Sequence, residues 1–174
     1  MKTAESTLLL RRLTPDDAVD FQALRLFGLQ QSPASFASSL EEERDRPLAE
    51  VAGRLTASDE QCVFGAFSEA RLIGMAGVRR QTLLKYRHKA GIWGVYVHPD
   101  QRGSGIGRQL ILASIGFAKQ MAGVGQLNLT ATGGNAAAIA LYASLGFVVY
   151  GRERNALFAG DVMHDEVHMA LPLL

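Results

Sequence analysis

The sequence predicts an α+β or mixed α/β fold, in which one sheet carries helices on both faces. Short β-branched and aromatic runs alternate with amphipathic segments in the order β-α-α-β-β-β-α-β-α-β-β. Glycine and proline clusters separate these segments, as turns require. The chain has 174 residues, of which 48% are hydrophobic, so we expect a single domain over residues 1–174 with a substantial core.

The N-terminal half is predicted to contain a strand, two helical regions and two further strands. Thr14-Pro15 is typical of a helix start, because threonine caps helices and proline fits the first position. Pro33 ends this helix, and Pro47 interrupts the helical region that follows. The predicted elements are a strand at Thr7–Arg12, a helix from Thr14 to about Gln31, a helical region at Ser35–Leu55, and strands at Cys62–Phe67 and Leu72–Arg80.

The C-terminal half begins with an apolar, aromatic strand at Gly91–Val97, which His98-Pro99-Asp100 ends. After Gly105, apolar residues recur at helical spacing and predict a helix with one face on the sheet: Ile106, Leu110, Ala113, Phe117 and Met121. The remaining predicted elements are a strand at Gln126–Ala131, a helix from Asn135 to Gly146, and an antiparallel pair at Phe147–Glu153 and Asp165–Leu173.

Composition excludes several classes of function. Lys and Arg total 18 against 17 Asp and Glu, so the net charge of +1 gives no case for nucleic-acid binding. No apolar run approaches the roughly 18 residues of a membrane span. The charged pair Arg11-Arg12 follows the N-terminus too closely for a signal peptide. Cys62 is the only cysteine, which excludes an internal disulfide, and we expect a cytoplasmic protein.

A glycine-rich loop lies between the strand at Gly91–Val97 and the following helix. Gly103, Gly105 and Gly107 alternate with other residues, and Arg102 and Arg108 flank them. Glycines permit positive φ and close approach of a ligand, while the unpaired N–H groups of a helix start attract anions. The segment therefore predicts a phosphate site, with an unliganded glycine turn as the alternative.

Two common nucleotide sites fit this loop poorly. A Walker A motif needs Gly-Lys-Ser/Thr, whereas Gly107 is followed by Arg108-Gln109. A dinucleotide fingerprint needs different glycine spacing and an acidic residue about 20 positions later. Residues 123–134, after the helix, contain no Asp or Glu. Both alternatives are therefore weakened.

Two motifs carry a resemblance to a known family. Val95–Gly107 resembles the acyl-CoA motif of the GCN5-related N-acetyltransferase (GNAT) family, and Asn135–Phe147 resembles that family's second signature, a helix opened by Asn and ended by Gly-Phe. The resemblance implies a mostly antiparallel sheet whose two central strands, here about 91–97 and 126–131, splay apart. The pantetheine arm of acetyl-CoA would then lie in the gap, paired with the first strand.

The resemblance also implies site residues. Val95, Tyr96 and Val97 would present backbone groups to the pantetheine, and the Val95 N–H would face the thioester oxygen. Asn135 and Ala138 would contact the pantetheine. Tyr142 would be the catalytic residue, as general acid or as hydrogen-bond donor to the CoA thiolate. The pyrophosphate would lie on Arg102, Gly103, Ser104, Gly105, Ile106, Gly107 and Arg108.

The general base is not identified by the sequence. Many family members carry Glu on the strand that is Gly91–Val97 here, and this chain has no acid there. Glu41, Glu42 and Glu43 are candidates, and their charge hints at a cationic acceptor. His164 and His168 superficially resemble a zinc motif, but the spacing and strand context are wrong, so we expect no metal.

These observations predict an acetyl-CoA-dependent N-acetyltransferase that acts on a primary amine by direct attack on the thioester. A catalytically weak acyl-CoA-binding module of the same fold is the alternative, favoured by the missing strand acid and opposed by Tyr142. The acceptor, a small molecule or a protein amine, stays open. Homodimers are common among similar proteins, so a homodimer is a further hypothesis for this chain.

Overall fold

The computed structural model describes residues 8–173, which form one seven-stranded sheet with helices on both faces. The strands are β1 (Leu8–Arg12), β2 (Gln61–Ser68), β3 (Arg71–Arg80), β4 (Lys89–Val97), β5 (Gln126–Thr132), β6 (Val148–Ala159) and β7 (Val162–Pro172). The helices are α1 (Ala18–Gln31), α2 (Leu40–Glu43), α3 (Leu48–Arg54), α4 (Ile106–Gln120) and α5 (Ala136–Ser144). The predicted order of elements is confirmed.

The sheet has the order β1-β2-β3-β4-β5-β7-β6, and every neighbouring pair except β4 and β5 is antiparallel. This confirms the mixed, mostly antiparallel sheet. A core lies on each face. The first includes Leu110, Ile111 and Tyr142 from α4 and α5, and the second includes Phe21 and Leu24 from α1. The central strands thus separate two independently packed layers.

Four predicted elements differ from the structure in extent. The helical region at Ser35–Leu55 is two short helices, α2 and α3, because Pro47 cannot continue a helix and instead precedes the first turn of α3. The first helix opens with a 3-10 turn at Pro15–Asp17. The last two strands are longer than predicted, since pairing resumes beyond an irregularity after Glu153, from Leu157 with His164 to Ala159 with Val162. Thr7, assigned to the first strand, lies outside the described residues.

The central strands separate, as the resemblance implies. β4 and β5 pair only over three positions, from Lys89 with Gln126 to Gly91 with Asn128. Beyond Gly91, β4 stays paired with β3 while β5 stays paired with β7. A gap therefore opens between the two strands toward the glycine-rich loop. Among the described residues, no helix is both long and apolar enough to span a membrane.

Candidate active site

A β-bulge marks the point where β4 leaves β5. Trp93 pairs with Gly77 and Tyr96 with Met75, so β4 contains one more residue than β3 over this stretch. Gly94 supplies the extra residue and has φ of +61°, a conformation that glycine adopts without strain. The bulge leaves Val95 without a register partner on β3. The backbone of Val95 therefore lies outside the regular pairing of β4 with β3, beyond the last pair that β4 forms with β5.

The bulge also determines which face each β4 side chain reaches. Val95 and Val97 pack against the core under α4 and α5, whereas Trp93 and Tyr96 belong to the core under α1. Of the three β4 residues expected to bind the cofactor, Tyr96 therefore directs its side chain away from the α5 face. It can contribute to a pantetheine site only through its backbone.

The loop after β4 leads into α4 as the sequence predicts. A 3-10 turn at Pro99–Gln101 ends the strand, and α4 begins at Ile106. Gly103 and Gly105 have φ of +80° and +82°, so both lie in the left-handed region. Ile106 is buried at the helix start, and only its backbone can face a ligand here. The first N–H groups of α4 are thus directed at the end of the gap, where a phosphate could bind.

Two arginines flank this loop, and each is anchored differently. Arg102 donates from Nε to the Val97 carbonyl oxygen at 3.1 Å, and its guanidinium carbon lies 5.5 Å from the centroid of the Tyr96 ring. Arg108 donates from Nη1 to Ser144 Oγ at 3.1 Å, which ties α4 to the end of α5. Both side chains are exposed. They could therefore turn to a diphosphate at little cost.

The two ends of α5 follow from its sequence. The side chain of Asn135 accepts a hydrogen bond from the Ala138 N–H at 3.1 Å and so caps the helix. Its amide NH₂ group stays available to a ligand. Gly146, with φ of +95°, ends the helix, and the Phe147 N–H returns to the Tyr142 carbonyl at 3.1 Å. Ala138 packs against the core of this face.

Tyr142 lies in the core between α5 and the sheet. It is 6% exposed and packs edge-on against Phe147, with ring centroids 6.1 Å apart. Burial raises the pKa of its hydroxyl to about 12, because the charged form is poorly solvated there. Within residues 8–173, no group forms a hydrogen bond with this hydroxyl. It is therefore held as a neutral donor.

Two of the three acidic residues named as candidate bases have structural roles. Glu41 and Glu42 are exposed, and Glu42 accepts from the Ser39 N–H at 2.8 Å in the cap of α2. Glu43 is 1% exposed and contacts three arginines: Arg25 at 3.0 Å, Arg46 at 3.3 Å and Arg54 at 3.0 Å.

The pKa of Glu43 makes it a poor proton acceptor. Burial raises this pKa, but the hydrogen bonds and charges of Arg25 and Arg54 outweigh burial and lower it to about 2. A carboxylate with so low a pKa rarely takes a proton at neutral pH. As a candidate base, Glu43 is therefore a wrong assignment, because the sequence does not show that the acid is buried among arginines.

Sequence reasoning also missed Arg25, on α1. Its guanidinium is buried, and Nη1 lies 3.3 Å from the point that a Cβ on Gly94 would occupy. Arg25 thus reaches the bulge from the face opposite Tyr142. The signal was present in the sequence, because Arg25 falls among Phe21, Leu24 and Leu29, the buried residues of α1. A charged residue within an apolar stripe is a candidate for a polar role.

The comparisons with known proteins match this geometry. The profile of the acetyltransferase (GNAT) family matches residues 24–147, which include the splayed strands, the glycine loop and Tyr142. The chain belongs to the GNAT family. The bulge, loop and α5 cap described above therefore lie within the region that defines the family.

Two curated relatives share about a third of the aligned residues. The ribosomal protein bS18-alanine N-acetyltransferase of Escherichia coli (strain K12) is 39% identical over 85 residues, which are 49% of this chain and 57% of that protein. Streptothricin acetyltransferase of Streptomyces lavendulae is 33% identical over 100 residues, which are 56% of this chain and 52% of that protein. The chain spans little more than half the length of these relatives.

A solved structure agrees over nearly the whole chain. The GNAT superfamily phosphinothricin acetyltransferase of Sinorhizobium meliloti, solved with acetyl-CoA, has a TM-score of 0.82. The comparison covers 95% of this chain and 88% of that one at 23% identity. At this identity the similarity concerns the fold, and it confirms the GNAT-like sheet.

Away from this site, three side chains on the last strands could approach a metal. Glu153, Glu166 and His168 offer ligand atoms within 4.8 Å of one another. Glu153 is exposed, and His168 Nε2 lies 3.7 Å from its carboxylate. Exposed acidic groups often lie together without an ion, and the expectation of a metal-free protein stays a prediction. Cys62 is buried in β2, which raises the pKa of its thiol to about 11.

Proposed function

We propose that this GNAT chain transfers an acetyl group from acetyl-CoA to a primary amine. The splay of β4 from β5 beyond Gly91 carries this proposal, because it leaves a strand edge on which an extended ligand arm can pair. The glycine-rich loop at the end of the same gap supplies N–H groups for the pyrophosphate. The relative from S. meliloti was solved with acetyl-CoA, which supports the same donor here.

The donor would be held mainly by backbone. The pyrophosphate would bind the loop from Arg102 to Arg108, and the pantetheine would run along β4 toward the bulge. The amide NH₂ group of Asn135, whose oxygen caps α5, would donate to the pantetheine. The Val95 N–H, without a register partner on β3, would donate to the thioester oxygen as negative charge develops there.

The chemical step needs few groups from the protein. The lone pair of a neutral amine attacks the carbonyl carbon, the new C–N bond forms, and the C–S bond breaks with release of the thiolate. The amine nitrogen then loses a proton, and the thiolate gains one. Water in the open gap would carry these protons, since Glu43 is a poor base.

Tyr142 would stabilise the departing thiolate as a hydrogen-bond donor. A thiol has a pKa near ~8.5, whereas burial raises that of Tyr142 to about 12. Complete proton transfer from Tyr142 to sulfur would therefore be unfavourable by about 5 kcal/mol. The structure thus favours donation of a hydrogen bond over full acid catalysis, two alternatives that the sequence left open.

The proposal covers two kinds of acceptor amine. One relative is named for the alanine of a ribosomal protein and another for streptothricin, so a protein amine and a small molecule are both represented among relatives. The expectations of a cytoplasmic location, of a homodimer, and of no nucleic-acid or membrane partner stay predictions.

The test is CoA release from acetyl-CoA with a panel of amines, for wild type, Tyr142→Phe and a matched control, Tyr86→Phe. Tyr86 is 49% exposed on the 3-10 turn Leu84–Tyr86, outside both motifs. We expect turnover to fall ~10²-fold in Tyr142→Phe, the usual cost of losing one donor to developing charge, and to be unchanged in Tyr86→Phe. Measurable acetyl-CoA binding with no turnover of any amine would instead support the acyl-CoA-binding module.

A further inference from the structure

The guanidinium of Arg25 is a buried charge that the chemical step does not use. Arg25 is 7% exposed, and its guanidinium carbon lies 5.6 Å from the centroid of the Phe36 ring and 5.9 Å from that of Trp93. Aromatic faces favour a cation but do not satisfy its N–H groups. A buried charge normally has partners for those groups, because isolated charges are costly to bury.

Only one nitrogen of this guanidinium is fully engaged. Nη2 donates to Ser38 Oγ at 2.9 Å and to Glu43 Oε1 at 3.0 Å. Nε is buried without a hydrogen-bond partner, so it is closed off from any ligand as well. The hydrogen bonds of Arg25 within residues 8–173 are made by Nη2, which leaves Nη1 as the donor that a ligand could use.

The unsatisfied donor Nη1 lies at the bulge of β4. It is 3.3 Å from the position that a Cβ on Gly94 would occupy, so any side chain there would crowd the guanidinium. The next residue, Val95, is the one placed at the thioester oxygen under the proposed function. Arg25 approaches this point from the α1 face, whereas Tyr142 approaches from the α5 face. An acceptor that enters on the α1 side would meet Arg25.

The surrounding charges favour an anion at this position. Arg25, Arg46 and Arg54 share the Glu43 carboxylate, and Glu50 contacts Arg46 at 3.2 Å. These five groups carry an excess of one positive charge. Within the acidic run that hinted at a cationic acceptor, the buried member Glu43 is therefore neutralised by arginines, while Glu41 and Glu42 are exposed on α2.

We propose that Arg25 binds a carboxylate of the acceptor, which is then a free amino acid or another small amino-carboxylate. This inference rests on the proposed function, because it takes the bulge as the place where the amine attacks. The carboxylate would accept hydrogen bonds from Arg25 and orient the neighbouring amine toward the thioester carbon. The cation would also disfavour the ammonium form of the acceptor, and so favour the neutral nucleophile.

The first experiment compares matched acceptors. The panel consists of the free amino acids, the same amino acids as carboxamides, and alanine-initiated peptides, each tested for CoA release with wild-type protein. We expect kcat/KM for the best free amino acid to exceed that of its carboxamide at least ~10-fold, since a charged hydrogen bond is lost. Equal rates for acid, amide and peptide would overturn the inference and leave the proposed function standing.

Variants then assign the effect to Arg25. In Arg25→Gln we expect the preference for acid over amide to fall to near one, with the KM for acetyl-CoA unchanged. Arg44→Gln is the control, because Arg44 contacts Asp45 and neither the Glu43 carboxylate nor Gly94, and it should keep the preference. Retention of the preference in Arg25→Gln would overturn the inference.

A binding measurement keeps the inference independent of turnover and of folding defects. N-acetyl amino acids and their amides are titrated calorimetrically into wild-type protein loaded with CoA. We expect the carboxylates to bind at least ~10-fold more tightly than the amides. Equal affinities would overturn the inference, whereas tighter carboxylate binding in a protein without turnover would support it and contradict only the proposed function.

Discussion

The two sides of the gap between β4 and β5 are built in opposite ways. The side proposed to bind acetyl-CoA, called the donor side below, is an exposed loop with two left-handed glycines, and its arginines lie at the surface. The side proposed to bind the acceptor, called the acceptor side below, is a buried cluster in which one carboxylate contacts three guanidiniums, with Arg25 close to the bulge. Under this proposal, backbone groups bind acetyl-CoA, which is the same in every turnover. Side chains on the other side would select the acceptor.

This difference has an energetic consequence. The donor side costs little to fold, because its charges stay in water and glycine needs no strain for positive φ. The acceptor side places charged groups in the protein interior, where each charge depends on its partners. We therefore expect substitutions on the acceptor side to affect stability, and substitutions on the donor side to affect acetyl-CoA affinity.

The largest expected effect is on the acceptor side. Glu43→Gln removes the shared carboxylate and leaves buried guanidiniums without their counter-charge, so the free energy of unfolding should fall by about 3–5 kcal/mol. Urea unfolding measures this change. Glu41→Gln, an exposed neighbour on α2, is the control and should change stability by less than ~0.5 kcal/mol. Equal losses of unfolding free energy in Glu43→Gln and Glu41→Gln would show that the ion pairs of Glu43 do not stabilise the fold.

A smaller effect is expected from pH, again on the acceptor side. The pKa of Glu43 is lowered in the folded state from 4.5 to about 2, so folding favours its ionised form. The corresponding stability, about 3 kcal/mol, is fully present above the unfolded-state pKa and is lost as pH falls from near 4.5 toward 2.

Unfolding free energies at pH 6 and pH 3 test this dependence. Asp17 adds to the same acid loss, because a hydrogen bond from Arg11 lowers its pKa from 3.8 to about 2 against the effect of burial. Glu43→Gln should therefore lose less stability than wild type between the two pH values, and Asp17→Asn should also lose less. An unchanged acid loss in Glu43→Gln would contradict the assignment to this carboxylate.

The smallest effect is expected on the donor side. Gly105 has φ of +82°, and no atom lies within 4 Å of the point that a Cβ on it would occupy, so the cost of Gly105→Ala comes from the backbone alone. A left-handed alanine costs ~1–2 kcal/mol, and relief of that strain would move the start of α4. We expect the Kd for acetyl-CoA to rise about tenfold.

Gly116→Ala is the matched control for this loop variant. Gly116 lies inside α4, and a Cβ there has nothing within 4 Å. Alanine should therefore stabilise the helix by up to ~1 kcal/mol without a change in acetyl-CoA affinity. If both variants bind acetyl-CoA equally well, the loop does not depend on its left-handed glycines.

The sequence by itself predicted most of the fold, and it carries the residues of the proposed donor side. The strand, the glycine loop and the helix start fall within Gly91–Gly107, and Asn135, Tyr142 and Gly146 fall within one helix and its caps. Such features depend on local rules, namely which residues allow positive φ, cap a helix or end a strand. Contacts between neighbours in sequence therefore suffice to predict them.

Only the tertiary structure decided the acceptor side. Arg25 and Glu43 lie 18 residues apart and belong to different helices, and Gly94 joins them only because α1 packs over β4. One extra residue in β4 decides which face each side chain reaches, and this depends on pairing with β3. The sequence shows that Glu43 is acidic, but burial among arginines makes it a structural counter-charge, since pKa values follow from surroundings that only packing creates.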